Sequence, residues 1–212
     1  MPARGRLIAL EGIDGCGKST QARALADALG ARLTHEPGAT AVGALLRELL
    51  LAPDSPSPSP RAEALLMAAD RAEHVALLIE PALASGHWVV SDRYSASTIA
   101  YQGYGRGLDP VGLAELVTWA AAGLGADLSV LVDVTVEAAA DRLAVGGRGG
   151  ADRMERLGPE FATRVRQGFL AQAAEDPAHW LVVDGSADVE TVAAHIVASV
   201  RERFGDAPVP GR

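Results

Sequence analysis

Gly12-Ile-Asp-Gly-Cys-Gly17-Lys18-Ser19 sets two glycines apart by four residues and ends on lysine and serine. That spacing suits a bound phosphate chain. Glycine lets consecutive backbone N–H groups turn inward, a helix beginning near Lys18 aims its positive end at the anion, and the ammonium reaches the outer phosphates. Ser19 would offer a hydroxyl to Mg²⁺. A second reactive turn, Ser91-Asp92-Arg93-Tyr94, closes a short apolar run. There a carboxylate can share the cation and a guanidinium can grip a phosphate. Ala69-Asp70-Arg71-Ala72-Glu73-His74 and Thr34-His35-Glu36-Pro37-Gly38-Ala39-Thr40 could frame a second pocket beside the first. Taken alone, Arg71 reads as a surface arginine paired with Asp70 and Glu73. His74 and His179 read as surface or edge residues, Trp119 and Trp180 as packing residues, and Cys16 as a small filler inside the loop.

These residues need a scaffold that brings strand ends together. Short, nearly continuous aliphatic runs predict strands at Arg6–Leu10, Ala31–His35, Trp88–Ser91, Leu128–Asp133 and Trp180–Asp184. Helical spacing predicts helices at Gln21–Leu29, Arg61–Ala84, Pro110–Ala122, Thr135–Leu143, Pro159–Ala174 and Val189–Phe204. This alternation implies an α/β fold, a five-stranded parallel sheet flanked by helices, with the site at the carboxyl ends of its strands. Asp54-Ser-Pro-Ser-Pro-Ser-Pro60 must be an exposed connection, because repeated proline removes backbone donors. Four glycines and two arginines fall within residues 145–155, the composition of a lid, and a frayed tail is expected at 205–212. The helix Arg61–Ala84 is apolar on more than one face, which suggests a partner helix.

The chain has 212 residues, 49% of them hydrophobic, enough for one domain over 1–212 with a sizeable core. Nineteen Lys+Arg against 27 Asp+Glu leave a net charge of −8, which argues against a nucleic-acid coat or a binder of anionic membranes. Leu7–Leu10 is too short an apolar run for a signal peptide or a span. The lone cysteine, Cys16, excludes an intrachain disulfide and fits a reducing compartment, so a cytoplasmic protein is expected.

Six further stretches extend the phosphate loop into a longer pattern. They are Glu36-Pro-Gly38, Ala68-Ala-Asp-Arg71, Asp92-Arg-Tyr94, Ser97-Thr-Ile-Ala-Tyr-Gln-Gly103, Tyr104-Gly-Arg-Gly107 and Asp152-Arg-Met-Glu155. With Glu11 through Thr20 they make nearly the whole chain resemble the thymidylate kinase family, which moves the γ-phosphoryl of ATP to thymidine monophosphate. The resemblance implies that Gly12, Ile13, Asp14, Gly15, Cys16, Gly17, Lys18, Ser19 and Thr20 bind ATP, with Mg²⁺ held by Ser19 and Asp92. Asp14 would also face the acceptor, whose phosphate Arg71, Arg93 and Arg47 would hold. Glu36, Pro37 and Met67 would line its pocket, Ser97, Thr98, Tyr101 and Gln102 would border thymine and sugar, and Asp152 and Glu155 would help close the site. Gly15 implies that lid arginines, Arg148 and Arg153, join Lys18 and Arg93 in catalysis. A homodimer is implied as well.

Three positions depart from the family pattern: His35 stands where arginine is usual, Ala39 where the second glycine is, and Met67 where phenylalanine stacks on the base. A kinase for another nucleoside or its monophosphate, and a nucleotide-binding pseudoenzyme, stay open alternatives. A GTP switch is the third, although no Asn-Lys-x-Asp guanine signature occurs.

Overall fold

β1 (Leu7–Glu11) is buried along its whole length and forms the centre of a parallel sheet. The computed structural model describes residues 3–145 and 152–207. Among these, β2 (Arg32–His35), β3 (Val89–Asp92), β4 (Leu128–Asp133) and β5 (Trp180–Asp184) complete the sheet in the order β2-β3-β1-β4-β5. All neighbours are parallel, with Leu10 opposite Asp92 on one side and Val130 on the other. Side chains alternate across β1. Ile8 and Leu10 join one core with Leu25, Phe169 and Ile196, while Leu7 and Ala9 join a second with Val75, Ile79 and Leu83. Helices thus cover both faces, and the chain leaves β1 where strand order reverses, the place such sheets bind ligands.

α1 (Lys18–Leu29) starts directly after the glycine loop and stops at Gly30, whose φ of 61° only glycine adopts easily. α2 (Ala41–Leu51), capped by the Thr40 hydroxyl, has no counterpart among the predicted helices. Its near-continuous leucines hide the polar face that periodicity needs. The predicted helix Arg61–Ala84 is built differently: α3 (Pro60–His74) widens into a π-helical segment, Val75–Ile79, before α4 (Glu80–Ala84). Pro81 follows at once, with no N–H to give and a ring that crowds the preceding turn. α5 (Ser95–Thr98) runs into a second π segment, Ile99–Gly105, also unpredicted.

α6 (Pro110–Ala120) ends two residues earlier than predicted, before Ala122 turns to positive φ. α7 (Val136–Val145), α8 (Pro159–Glu175) and α9 (Val189–Phe204) follow. A short 3-10 turn, Glu155–Leu157, precedes α8. Trp119, expected to pack, is 80% exposed on α6. No helix of the described residues is long and apolar enough to cross a membrane. The lid expectation falls largely on residues 146–151 and part of the tail on 208–212, outside the described residues.

Candidate active site

The loop between β1 and α1 carries the phosphate motif at the sheet's carboxyl edge. A Cβ at Gly15 would stand 2.3 Å from the Ala139 carbonyl oxygen, so only glycine lets the loop pass α7. Gly17 caps α1 with no side-chain acceptor, so the first N–H groups face the cleft. Lys18 is buried, its Nζ donating to Ile13 O and Asp14 Oδ1, each at 3.3 Å. Ser19 and Thr20 are exposed along the same cleft. Cys16 is buried, and burial pushes its thiol pKa up despite nearby Lys18, which suits a filler and not a reactive thiol.

Arg93, just past β3, adopts a φ of 73° that non-glycine residues rarely take. From there its guanidinium donates to Gly12 O, Ser97 Oγ, Tyr101 Oη and Asp14 Oδ1. Tyr101 Oη in turn donates to Asp14 Oδ2 at 2.7 Å. Burial opposes ionisation of Asp14, yet Arg93 and Lys18 hold its carboxyl far below the usual range. Asp92 lines the loop's cleft, and its Oδ1 is buried without a hydrogen-bond partner. A carboxylate oxygen left this way fits a divalent cation, and Ser19 lines the same cleft. Among the described residues no three His, Cys, Asp or Glu side chains converge on a metal site.

A second recess adjoins the first. Arg71 is buried and binds Glu36 Oε2 through Nε at 3.0 Å and Nη2 at 2.8 Å, Thr98 Oγ1 at 3.0 Å and Tyr94 O at 3.1 Å. It is therefore no surface partner of Asp70 or Glu73. Glu36 Oε1 meets His74 Nδ1 at 2.9 Å, and His74 Nε2 meets Thr34 Oγ1 at 2.6 Å. His74 is wholly buried, which corrects the reading of it as a surface residue. Asp70 accepts from Gly38 N at 2.9 Å, and Arg47 donates to Pro37 O at 2.8 Å, so α3 and α2 both hold the Glu36-Pro-Gly turn. Met67, Ser97, Thr98, Tyr101 and Gln102 line this recess. Asp152 caps its own turn through Met154 N and Glu155 N and lines both recesses. Glu155 accepts from Asp152 N and faces the phosphate-loop cleft.

Arg153 goes elsewhere. It is buried, donating from Nε to Leu50 O at 2.7 Å and from Nη2 to Glu63 Oε2 at 2.9 Å. Its guanidinium is thus spent on a buried carboxylate, and the expectation that it closes over the transferred phosphoryl is corrected. Arg148 lies outside the described residues. His35, exposed at the end of β2, lines the cleft, where partial desolvation and the nearby Arg47 lower its pKa.

Sequence reading missed four groups. Glu11, wholly buried, accepts from Tyr94 N at 2.9 Å and Ser97 Oγ at 2.6 Å, and burial pushes its pKa up to about 7. The signal was a carboxylate ending an apolar strand. Glu63 sat in view on the same helix as Asp70 without a partner assigned, and Asp70 was paired with Arg71 instead of with Gly38 N. Arg142 donates to Cys16 O at 3.2 Å and Gly185 O at 2.7 Å, bracing the loop against the turn after β5, and nothing in its local sequence announces this.

A phosphate loop after the central strand of this parallel sheet, with an Asp-Arg turn on the next strand, defines a P-loop NTPase-type fold. A family model described as thymidylate kinase matches residues 10–196. The chain belongs to the thymidylate kinase family. It is 48% identical to a thymidylate kinase of Prochlorococcus marinus (strain MIT 9303), covering 95% of this chain and 96% of that one. It is 50% identical to one of Synechococcus sp. (strain RCC307), over 94% and 97%. The solved thymidylate kinase of Ehrlichia chaffeensis superposes with a TM-score of 0.77 at 29% identity, covering 93% of this chain and 99% of its own.

Proposed function

We propose that the protein transfers the γ-phosphoryl of ATP directly to dTMP, giving ADP and dTDP and feeding dTTP synthesis. The observation that carries this reading is the junction of the two recesses: Asp14, Arg93, Arg47 and Glu36 line both. A donor in one and an acceptor in the other would meet there. In this reading the loop residues Gly12, Ile13, Asp14, Gly15, Cys16, Gly17, Lys18, Ser19 and Thr20 take the ATP phosphates. Ser19 and Asp92 would hold Mg²⁺, which would supply positive charge against the phosphates. Lys18, Arg93 and Arg148 meet the charge of the moving phosphoryl.

Arg71 and Arg47 stand toward the acceptor phosphate, Glu36 and Pro37 shape its wall, and Met67, Ser97, Thr98, Tyr101 and Gln102 take the nucleoside. Asp152 and Glu155 close the site. The acceptor phosphate is itself the nucleophile, so alignment and charge do the work and no strong base is needed. We further propose one kinase domain spanning 1–212, acting in the cytoplasm as a homodimer. Leu65, Leu77, Val111 and Trp119 are exposed on α3, the following π segment and α6, which supports self-association.

The test is ADP release with Mg-ATP and a panel of dTMP, dUMP, dCMP, dGMP, AMP and thymidine, with Lys18→Ala as the blank. Turnover dominated by dTMP and lost in the blank is expected. Preference for another acceptor overturns the substrate, and ATP binding without turnover overturns the activity.

A further inference from the structure

Glu63 on α3 is wholly buried, yet both its carboxylate oxygens are supplied with donors. Oε1 accepts from Gln102 Nε2 at 3.0 Å and Arg106 Nε at 3.1 Å. Oε2 accepts from Arg106 Nη2 at 2.8 Å and Arg153 Nη2 at 2.9 Å. The arginines are anchored in turn. Arg106 stands 5.2 Å from the Phe161 ring centroid, and Arg153 is tied to the end of α2 through Leu50 O and, by its own N–H, Leu51 O. Burial opposes the charge on Glu63, but Arg106, Gln102 and Arg153 together hold its pKa below the usual value. The carboxylate is ionised and fixed on three sides.

This decides the orientation of Gln102. An ionised carboxylate only accepts, so the end of the amide facing Glu63 must be the NH₂. Without such a partner the two ends of a glutamine amide are nearly the same size and exchange by a flip. Gln102 also lines the second recess, so its carbonyl oxygen is the limb left for a ligand. That oxygen accepts a hydrogen bond and cannot give one. Thymine and uracil carry an N3–H donor, whereas cytosine carries a bare N3 acceptor.

We infer that Glu63 is a positioning residue: it locks the Gln102 amide as an acceptor toward the recess and thereby selects pyrimidine monophosphates bearing N3–H over those of cytosine. The inference rests on the reading of this recess as the monophosphate acceptor site. Glu63 touches no substrate. Arg106 and Arg153 act one step further back, keeping its carboxylate charged and in place.

The experiment measures kcat/KM for dTMP and dCMP in the unaltered protein, Glu63→Gln, Gln102→Ala and the double variant, together with KM for ATP. In Glu63→Gln the new NH₂ can donate to the Gln102 oxygen, freeing the amide to present its own NH₂ to cytosine N3. The dTMP-to-dCMP ratio should fall tenfold or more, with KM for ATP within twofold of the unaltered value. In the Gln102→Ala background, Glu63→Gln should move that ratio less than twofold, since its effect passes through Gln102. An equal loss for both acceptors, or an undiminished further loss in that background, overturns the inference. Should Glu63→Gln not fold, Glu63→Asp keeps both arginine partners but withdraws the carboxylate by one methylene. It must then lower the ratio in the same direction, and an unchanged ratio overturns the inference. An unaltered protein that ignores dTMP but phosphorylates a purine monophosphate overturns the acceptor reading itself, a failure visible before any variant is made.

Discussion

Asp14 receives hydrogen bonds from Lys18, Arg93 and Tyr101, so it is an anchor for the site's cations and not a base waiting for a proton. Asp14→Asn should cut kcat/KM for dTMP about 100-fold by loosening Arg93, while the pH–rate profile between pH 6 and 9 keeps its shape. A lost ionisation in that profile would contradict the assignment. Glu11 behaves in the opposite way. Burial raises its pKa from 4.5 to about 7, so the folded protein holds a proton that the unfolded chain has released. Its contribution is complete below the unfolded pKa and is lost as pH rises through about 7, at most about 3 kcal/mol. Urea unfolding of Glu11→Gln should therefore gain stability relative to the unaltered protein between pH 5 and 8, and a constant difference would be the contrary result. Lys18, Asp92 and Arg93 were legible in the sequence because their chemistry lies within one turn. His74, Glu63 and Arg153 were not, because each is defined by a partner 38 or more residues away that only the fold supplies.

At the scale of elements, β4, β5 and α9 lie where their residue patterns predict, since each is bounded by a polar stop. The π segments do not follow from apolar spacing, because a single widened turn hardly alters the pattern of hydrophobic positions. Yet Ile99–Gly105 positions both Tyr101 and Gln102. Its seat on α8 is tight. A Cβ at Gly168 would lie 2.8 Å from the Tyr104 ring, and Phe169 meets Tyr101 edge-on with centroids 6.2 Å apart. Gly168→Ala should cost about 1–3 kcal/mol and raise KM for dTMP more than KM for ATP. A shift in stability alone, with both KM values unchanged, would show that α8 does not govern the recess.

For the whole molecule, an excess of eight negative charges surrounds a site furnished with Lys18, Arg47, Arg71 and Arg93, so anions are drawn to one cleft and repelled elsewhere. The exposed Trp119 and its neighbours carry the proposed self-association. Trp119→Glu should halve the mass measured by light scattering without changing the helical circular dichroism, and an unaltered protein that is already monomeric would contradict it. The central claim is direct transfer between adjoining recesses, and the most direct test is a single-turnover reaction with γ-labelled ATP. The label should pass from ATP to dTDP with no labelled protein and no labelled inorganic phosphate, and Lys18→Ala should slow this at least about 100-fold. Label released to water in the presence of dTMP, or held on the protein, would contradict the account.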